Sequence, residues 1–183
     1  MFSQKNIKFK RILTRDLKKL LIWRNNAFIR SKMLNQNKIS YKNHLVWYEG
    51  LKKNKTRKSF VIYYKKTQIG VASIKEIDSI NKTCTWGYYI ADSSYRYLAL
   101  LVEYEFINLI FIKIKIRKIW GETISTNKKI LKIHKFLGFI IEGTYKEHIK
   151  VKNKYLDVVL TSLFKKDWNK YKKKLLLSLK INK

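Results

Sequence analysis

Apolar and polar positions alternate along "IKFKRI" (7–12), a period of two that predicts a strand. The period then lengthens. Leu17, Leu20, Leu21 and Trp23 recur at helical spacing behind Thr14, a residue suited to an N-cap, so a helix is expected over about 15–26. "RNNAFIRSKMLNQNKI" is polar and irregular and reads as a loop. Ser40 caps a second helix reaching about Leu51, with Leu45, Val46, Tyr48 and Leu51 on its buried side. "SFVIYY" (59–64) and "QIGVASIKEI" (68–77) form a hairpin around Lys65–Thr67, and "TCTWGYYIA" (83–91) is a further strand. "YLALLVEYEFINLIFI" (97–112) is a strongly apolar helix, too short to span a bilayer. "IRKIWGET" (116–123) is a strand, and 128–137 a basic amphipathic helix with Gly138 as its C-cap. "FIIEGTYKEHIKV" and "KYLDVVLTSLF" make a final antiparallel pair, and "WNKYKKKLLLSL" ends the pattern as a basic amphipathic helix.

The order β-α-α-β-β-β-α-β-α-β-β, with a terminal helix, predicts an α+β fold: a mixed sheet with helices on both faces. Composition narrows this little. The chain has 183 residues, no proline and 6 glycines, so it reads as one domain over 1–183 without a linker, its last stretch (168–183) being the basic helix. The start "MFSQKNIKFKRI" lacks a signal core. Cys84, the single cysteine, has no metal-ligand spacing around it, so no metal is expected and a reducing, cytoplasmic setting is the simplest reading.

The net charge of +30 invites a nucleic-acid reading. The basic residues are spread along the whole chain, however, and most are Lys, whereas base-edge and bidentate phosphate recognition favour Arg. Lys, Ile and Asn share A/T-rich codons, so compositional drift accounts for the excess. No specific nucleic-acid partner is expected, although anionic ligands would gain from the field.

The segment "NKKILKIHKFLGFIIEG" (127–143) sets a histidine into a helix, a glycine stop and an apolar strand. With "WRN" (23–25), His44 before "VWYEGL", "QIGVASI", "DSIN", "WGYYI" and "EGTYKEHIKVKNKYLDVVL", it resembles the GNAT acetyltransferases, over about 7–168. It is most similar to the branch that acts in pseudaminic-acid biosynthesis. The resemblance implies a mostly antiparallel sheet splayed at the cofactor strand, and acetyl-CoA as co-substrate. It also implies N-acetylation of the 4-amino group of UDP-4-amino-4,6-dideoxy-N-acetyl-β-L-altrosamine. A protein N-terminus or a polyamine is the alternative acceptor on the same fold. A nucleic-acid or membrane-surface binder that has lost catalysis is the alternative of another class. A homodimer is the one assembly considered.

Site residues follow from the resemblance, each beside a plainer role. Arg96 matches the family's phosphate loop, with Tyr97, Leu98 and Ala99 at the helix start. Ala99 and Leu101 stand where the family has small residues, a departure that limits close approach of a phosphate. "WGYYI" is implied to flank the pantetheine arm, through Tyr88 and Ile90, and to offer a backbone donor to the reacting carbonyl oxygen. Asn127 is implied to touch the CoA arm, or is a plain N-cap. His134 falls where many relatives carry a tyrosine that donates to the departing thiolate; otherwise it is a core histidine. Glu122 is a candidate base for the amine, or a strand carboxylate paired with a lysine. Arg24, His44, Lys75 and Tyr89 are implied on the substrate side, Arg24 being otherwise a helix-end cation.

Overall fold

The computed structural model describes residues 6–178. Its elements are β1 (Ile7–Arg11), α1 (Leu17–Asn25), α2 (Ala27–Arg30), α3 (Tyr41–Lys53), β2 (Lys58–Tyr64), β3 (Thr67–Asp78) and β4 (Thr83–Ile90). There follow α4 (Ala99–Asn108), β5 (Lys118–Ile124), α5 (Lys128–Phe136), β6 (Ile140–Val151), β7 (Lys154–Phe164) and α6 (Lys165–Ser178). The expected order is met apart from the short α2, which stands between the two expected helices. Residues 179–183, part of the expected terminal helix, lie outside the described residues.

The seven strands form one sheet in the order β1-β2-β3-β4-β5-β7-β6. All neighbours are antiparallel except β4 and β5, which run parallel. Alternation along the strands sends their side chains to two cores. Ile62, Ala72, Ile74, Cys84, Trp86, Tyr88 and Ile119 pack toward α4 and α6. Val61, Val71 and Tyr89 pack toward α1 and α3.

Several local expectations are corrected. Thr14 does not cap α1: residues 14–16 form a 3₁₀ turn in which the Asp16 carboxylate accepts from the Leu13 N–H at 2.9 Å. The expected loop over 24–39 contains α2, capped by Asn26, whose side chain accepts from Phe28 N and Ile29 N. Val46 is exposed, not buried, because α3 meets the protein along His44 and Tyr48. The apolar helix begins early, as a 3₁₀ turn over Ser93–Leu98, and ends in a π-type turn over Leu109–Lys113. Asn127 does precede α5, but its side chain makes no cap bond.

Gly138 ends α5 with φ +90, a left-handed residue that only glycine adopts without strain. A Cβ there would also meet the Tyr171 ring of α6 at 2.7 Å. Gly138→Ala should therefore cost about 1–2 kcal/mol from the backbone alone. Thermal melts should show a fall of roughly 3–8 °C.

Candidate active site

β4 and β5 pair only at Thr83–Thr85 and Lys118–Trp120. Beyond that seam, 86–90 keep β3 and 121–124 keep β7, but neither has the other. The sheet therefore opens a wedge lined by backbone from both strands, the splay expected at "WGYYI". A Cβ at Gly87 would meet nothing within 4 Å. At the narrow end, a Cβ on Gly121 would lie 3.6 Å from Trp86 Nε1, a buried indole nitrogen without a partner. Backbone groups without a strand partner and an orphaned donor fit an extended ligand with amide groups, as a pantetheine arm has.

On the α4 side of the wedge, His134 is buried. Its ring stacks on Phe139 at 4.7 Å and lies 5.6 Å from Trp86. Nδ1 is 3.2 Å from Thr161 Oγ1 of β7. Nε2 is 3.4 Å from Glu103 Oε1 of α4, whose carboxyl is wholly buried. That distance falls in the ion-pair range but exceeds a well-formed hydrogen bond, and Oε1 has no closer partner. Burial drives the two groups toward neutrality. It lowers His134 to about 4 and raises Glu103 to about 8, against a smaller lowering by the Tyr88 hydroxyl. At neutral pH the contact therefore joins two neutral groups. Tyr88 completes the cluster, its hydroxyl lying 2.9 Å from Glu103 Oε2 and 3.1 Å from the Ala99 carbonyl.

Glu122 stands on the other face. Gly121 lies against Trp86, and its cross-strand neighbour Thr161 bonds His134. By alternation the side chain of Glu122 points away from them, and it is exposed. His134 and Glu122 are thus not brought together but placed on opposite faces of the sheet.

Arg24, His44 and Tyr89 gather on that second face. The Arg24 Nη2 donates to the Asn35 carbonyl at 2.7 Å, while its Nη1 is buried without a partner. Burial pushes the Tyr89 hydroxyl up, with the Arg24 charge acting the other way. His44 stacks on Trp47, its Nε2 buried and unpartnered, and burial lowers it despite a hydrogen bond it donates to the Leu17 backbone. Lys75 is exposed on β3 opposite Thr85.

The phosphate loop differs most from expectation. The 3₁₀ turn before α4 engages its donors: Ser94 N reaches Asp92 Oδ1 and Ala99 N reaches the Arg96 carbonyl. The expected free helix start at 97 is absent, and a carboxylate, Asp92, caps the turn instead. The Arg96 guanidinium lies 3.7 Å over the Phe28 ring, with Nε buried and unpartnered. Tyr97 is exposed, Ala99 half-buried, and the side chains of Leu98, Ile90 and Leu101 lie in the core. Leu101 therefore crowds the core rather than a phosphate.

Sequence reasoning missed Glu103, Thr161 and the orphaned Trp86 nitrogen. The one signal for the first was that it is one of two acids, with Glu105, inside the apolar run 97–112.

Residues 9–160 match the family described as Acetyltransferase (GNAT) domain. The chain belongs to the GNAT acetyltransferase family. This GNAT fold superposes on the spermidine N-acetyltransferase from Vibrio cholerae, solved in complex with CoA and spermine, with a TM-score of 0.84. The identity is 19%, over 90% of this chain and 99% of that one. A dodecameric structure of spermidine N-acetyltransferase from the same organism, in an intermediate state, gives 0.78 at 18% identity, covering 90% and 96%. At these identities the likeness speaks for the fold. A search of curated proteins found no match. Among the described residues, no helix of this GNAT protein is long and apolar enough to cross a membrane. No group of three or more His, Cys, Asp or Glu among them could hold a metal ion.

Proposed function

We propose that this GNAT enzyme transfers the acetyl group of acetyl-CoA to the primary amine of a phosphate-bearing small molecule, namely the UDP-linked 4-amino sugar. The observation that carries the acceptor class is the charge of the second face. The stretch 24–48 holds Arg24, Arg30, Lys32, Lys38 and Lys42 and no carboxylate. A polyamine would meet like charges there, whereas a diphosphate would meet the unpartnered Arg24 Nη1 and the His44 ring.

Acetyl-CoA supplies an activated thioester, so no covalent enzyme intermediate is needed. The wedge takes the pantetheine arm beside Trp86–Ile90, and Arg96 and Tyr97, on the turn that carries Leu98 and Ala99, face the phosphates. Asn127 touches the same arm at the start of α5. His134, neutral, offers an N–H to the departing thiolate. Glu122 takes the amine proton from the opposite face, so the proton donor and acceptor of the reaction are separated by the sheet. Arg24, His44, Tyr89 and Lys75 hold the acceptor. The cytoplasmic setting belongs to the same reading.

A polyamine acceptor is the second reading, and likeness of fold favours it, since the matched structures are spermidine N-acetyltransferases. Competition distinguishes the two. UDP should inhibit acetyl transfer competitively with the acceptor, spermine should be neither acetylated nor inhibitory, and Arg24→Ala should weaken UDP about tenfold or more. Acetylation of spermine, with UDP at millimolar levels leaving the rate untouched, would replace the nucleotide sugar by the polyamine.

A further inference from the structure

The cluster behind the wedge has a hydrogen-bond arithmetic. Tyr88 has one hydroxyl hydrogen and two oxygens in reach, Glu103 Oε2 and the Ala99 carbonyl. His134 has Thr161 Oγ1 at 3.2 Å from Nδ1 and, 3.4 Å from Nε2 and short of hydrogen-bond geometry, Glu103 Oε1. With an ionised carboxylate, Tyr88 and His134 would both donate to Glu103, and the Ala99 carbonyl would lose the tyrosine hydrogen. With a neutral carboxyl protonated on Oε2, every hydrogen finds one acceptor. Thr161 O–H then donates to Nδ1, Nε2–H to Oε1, Oε2–H to the Tyr88 oxygen, and Tyr88 O–H to the Ala99 carbonyl.

We propose that Glu103 is a positioning residue, held as a neutral acid at the centre of a one-way chain Thr161–His134–Glu103–Tyr88–Ala99 that fixes His134 with its proton on Nε2. The chain links β7, α5, α4 and β4 across the base of the wedge. It sets the first residue of α4 against the strand that borders the gap. Leaving Oε1 or Nε2 buried without a partner would cost the full desolvation of that group, so the two hold each other despite the long contact. The upward shift of Glu103 to about 8 through burial agrees with the neutral form.

The direction of the pH effect follows. A carboxyl raised in the folded state contributes stability that is complete below its unfolded value, ordinarily near 4.5, and lost as pH rises through about 8. Tyr88 from β4 and His134 from α5 are the titratable groups facing it; Thr161 from β7 does not titrate. Glu105 on the same helix, raised by burial to about 7, adds a similar slope. That slope is common to the wild type and a Glu103 variant and cancels between them.

Glu103→Gln tests the assignment, because an amide repeats the pattern of the neutral acid, accepting at Oε1 and donating at Nε2. Melting temperatures across pH 5–9 and ¹⁵N spectra of His134 are the readouts. The wild type should lose more stability than Glu103→Gln as pH rises, and both should hold His134 as the Nε2–H tautomer. Glu103→Leu should let the Nδ1–H tautomer appear. Parallel pH profiles for the wild type and Glu103→Gln, or an Nδ1–H imidazole in the wild type, would overturn the proposal. The activity arm rests on the proposed thiolate role of His134, for which the single Nε2–H must turn from its long 3.4 Å contact with Glu103 Oε1 to the sulfur, and it fails separately. An unchanged transfer rate in a folded Glu103→Leu enzyme with a disturbed tautomer would remove His134 from the chemistry and leave the chain standing.

Discussion

His134→Leu should lower kcat and kcat/KM together by about 10²-fold, with acetyl-CoA affinity nearly unchanged. The low end of the range for acid assistance is expected for two reasons. Burial lowers the imidazole to about 4, so near neutral pH it offers a hydrogen bond rather than a full proton. A thiol with an ordinary value near ~8.5 also needs little help to leave. His134→Tyr should restore part of the rate by returning a donor to the same helical position. The pH dependence of folding gives a second signature. A histidine lowered in the folded state contributes stability complete above its usual 6.5 and lost as pH falls through about 4. Leucine removes that acid limb. Single-turnover rates and melts on the two variants check both effects, and full activity in a folded His134→Leu protein would end the catalytic role.

Gly70→Ala should be the most damaging single-methyl change in the sheet. Gly70 faces Ile90 across the β3–β4 ladder, and a Cβ there would land on the Tyr89 carbonyl oxygen and 3.0 Å from the Ile90 Cα. Backbone cannot turn aside as a side-chain tip can, so the strands must part. A loss of at least about 3 kcal/mol is expected, a fall of roughly 6–12 °C in Tm. Because the displaced residues border the wedge, the KM for acetyl-CoA should rise as well. Gly87→Ala is the internal control for stability, its Cβ meeting nothing within 4 Å. Circular-dichroism melts of the two, run side by side, check the contrast; equal melting would show that β3 and β4 have slack at Gly70.

Periodicity made the element order, the seven strands and the two-faced core legible, because each strand carries its alternation within five to twelve residues. It was blind to what is decided across elements. Glu103 drew no reading from the apolar run that holds it, since its partners come from β4 and α5. Val46 counts with Leu45 and Tyr48 among the expected core, but it stands two residues from Tyr48 and so on another side of α3, which rests on the His44–Tyr48 stripe. Asn26, which starts α2, sat inside a polar stretch whose order comes from Arg24, Asn25 and Arg30 reaching loop carbonyls. The phosphate loop was misjudged for a local reason: Asp92 caps a turn ahead of the helix, so the helical backbone starts six residues before α4.

The short parallel seam gives the molecule a mechanical character. Among the described residues, three paired positions on each side, with the Lys82 carbonyl bonded to Arg117 N just before them, tie the backbone of β1–β4 to that of β5–β7. The sheet therefore behaves as two plates on a hinge. Ile90 lies five residues beyond Thr85, a lever of about 17 Å at ~3.3 Å per residue. A rotation of about 5° at the seam would widen its far end by about 1.5 Å, more than a methyl substitution changes a contact. Apolar packing from α4 against both plates sets the stiffness of that hinge, so core residues remote from any ligand govern how far the wedge can yield.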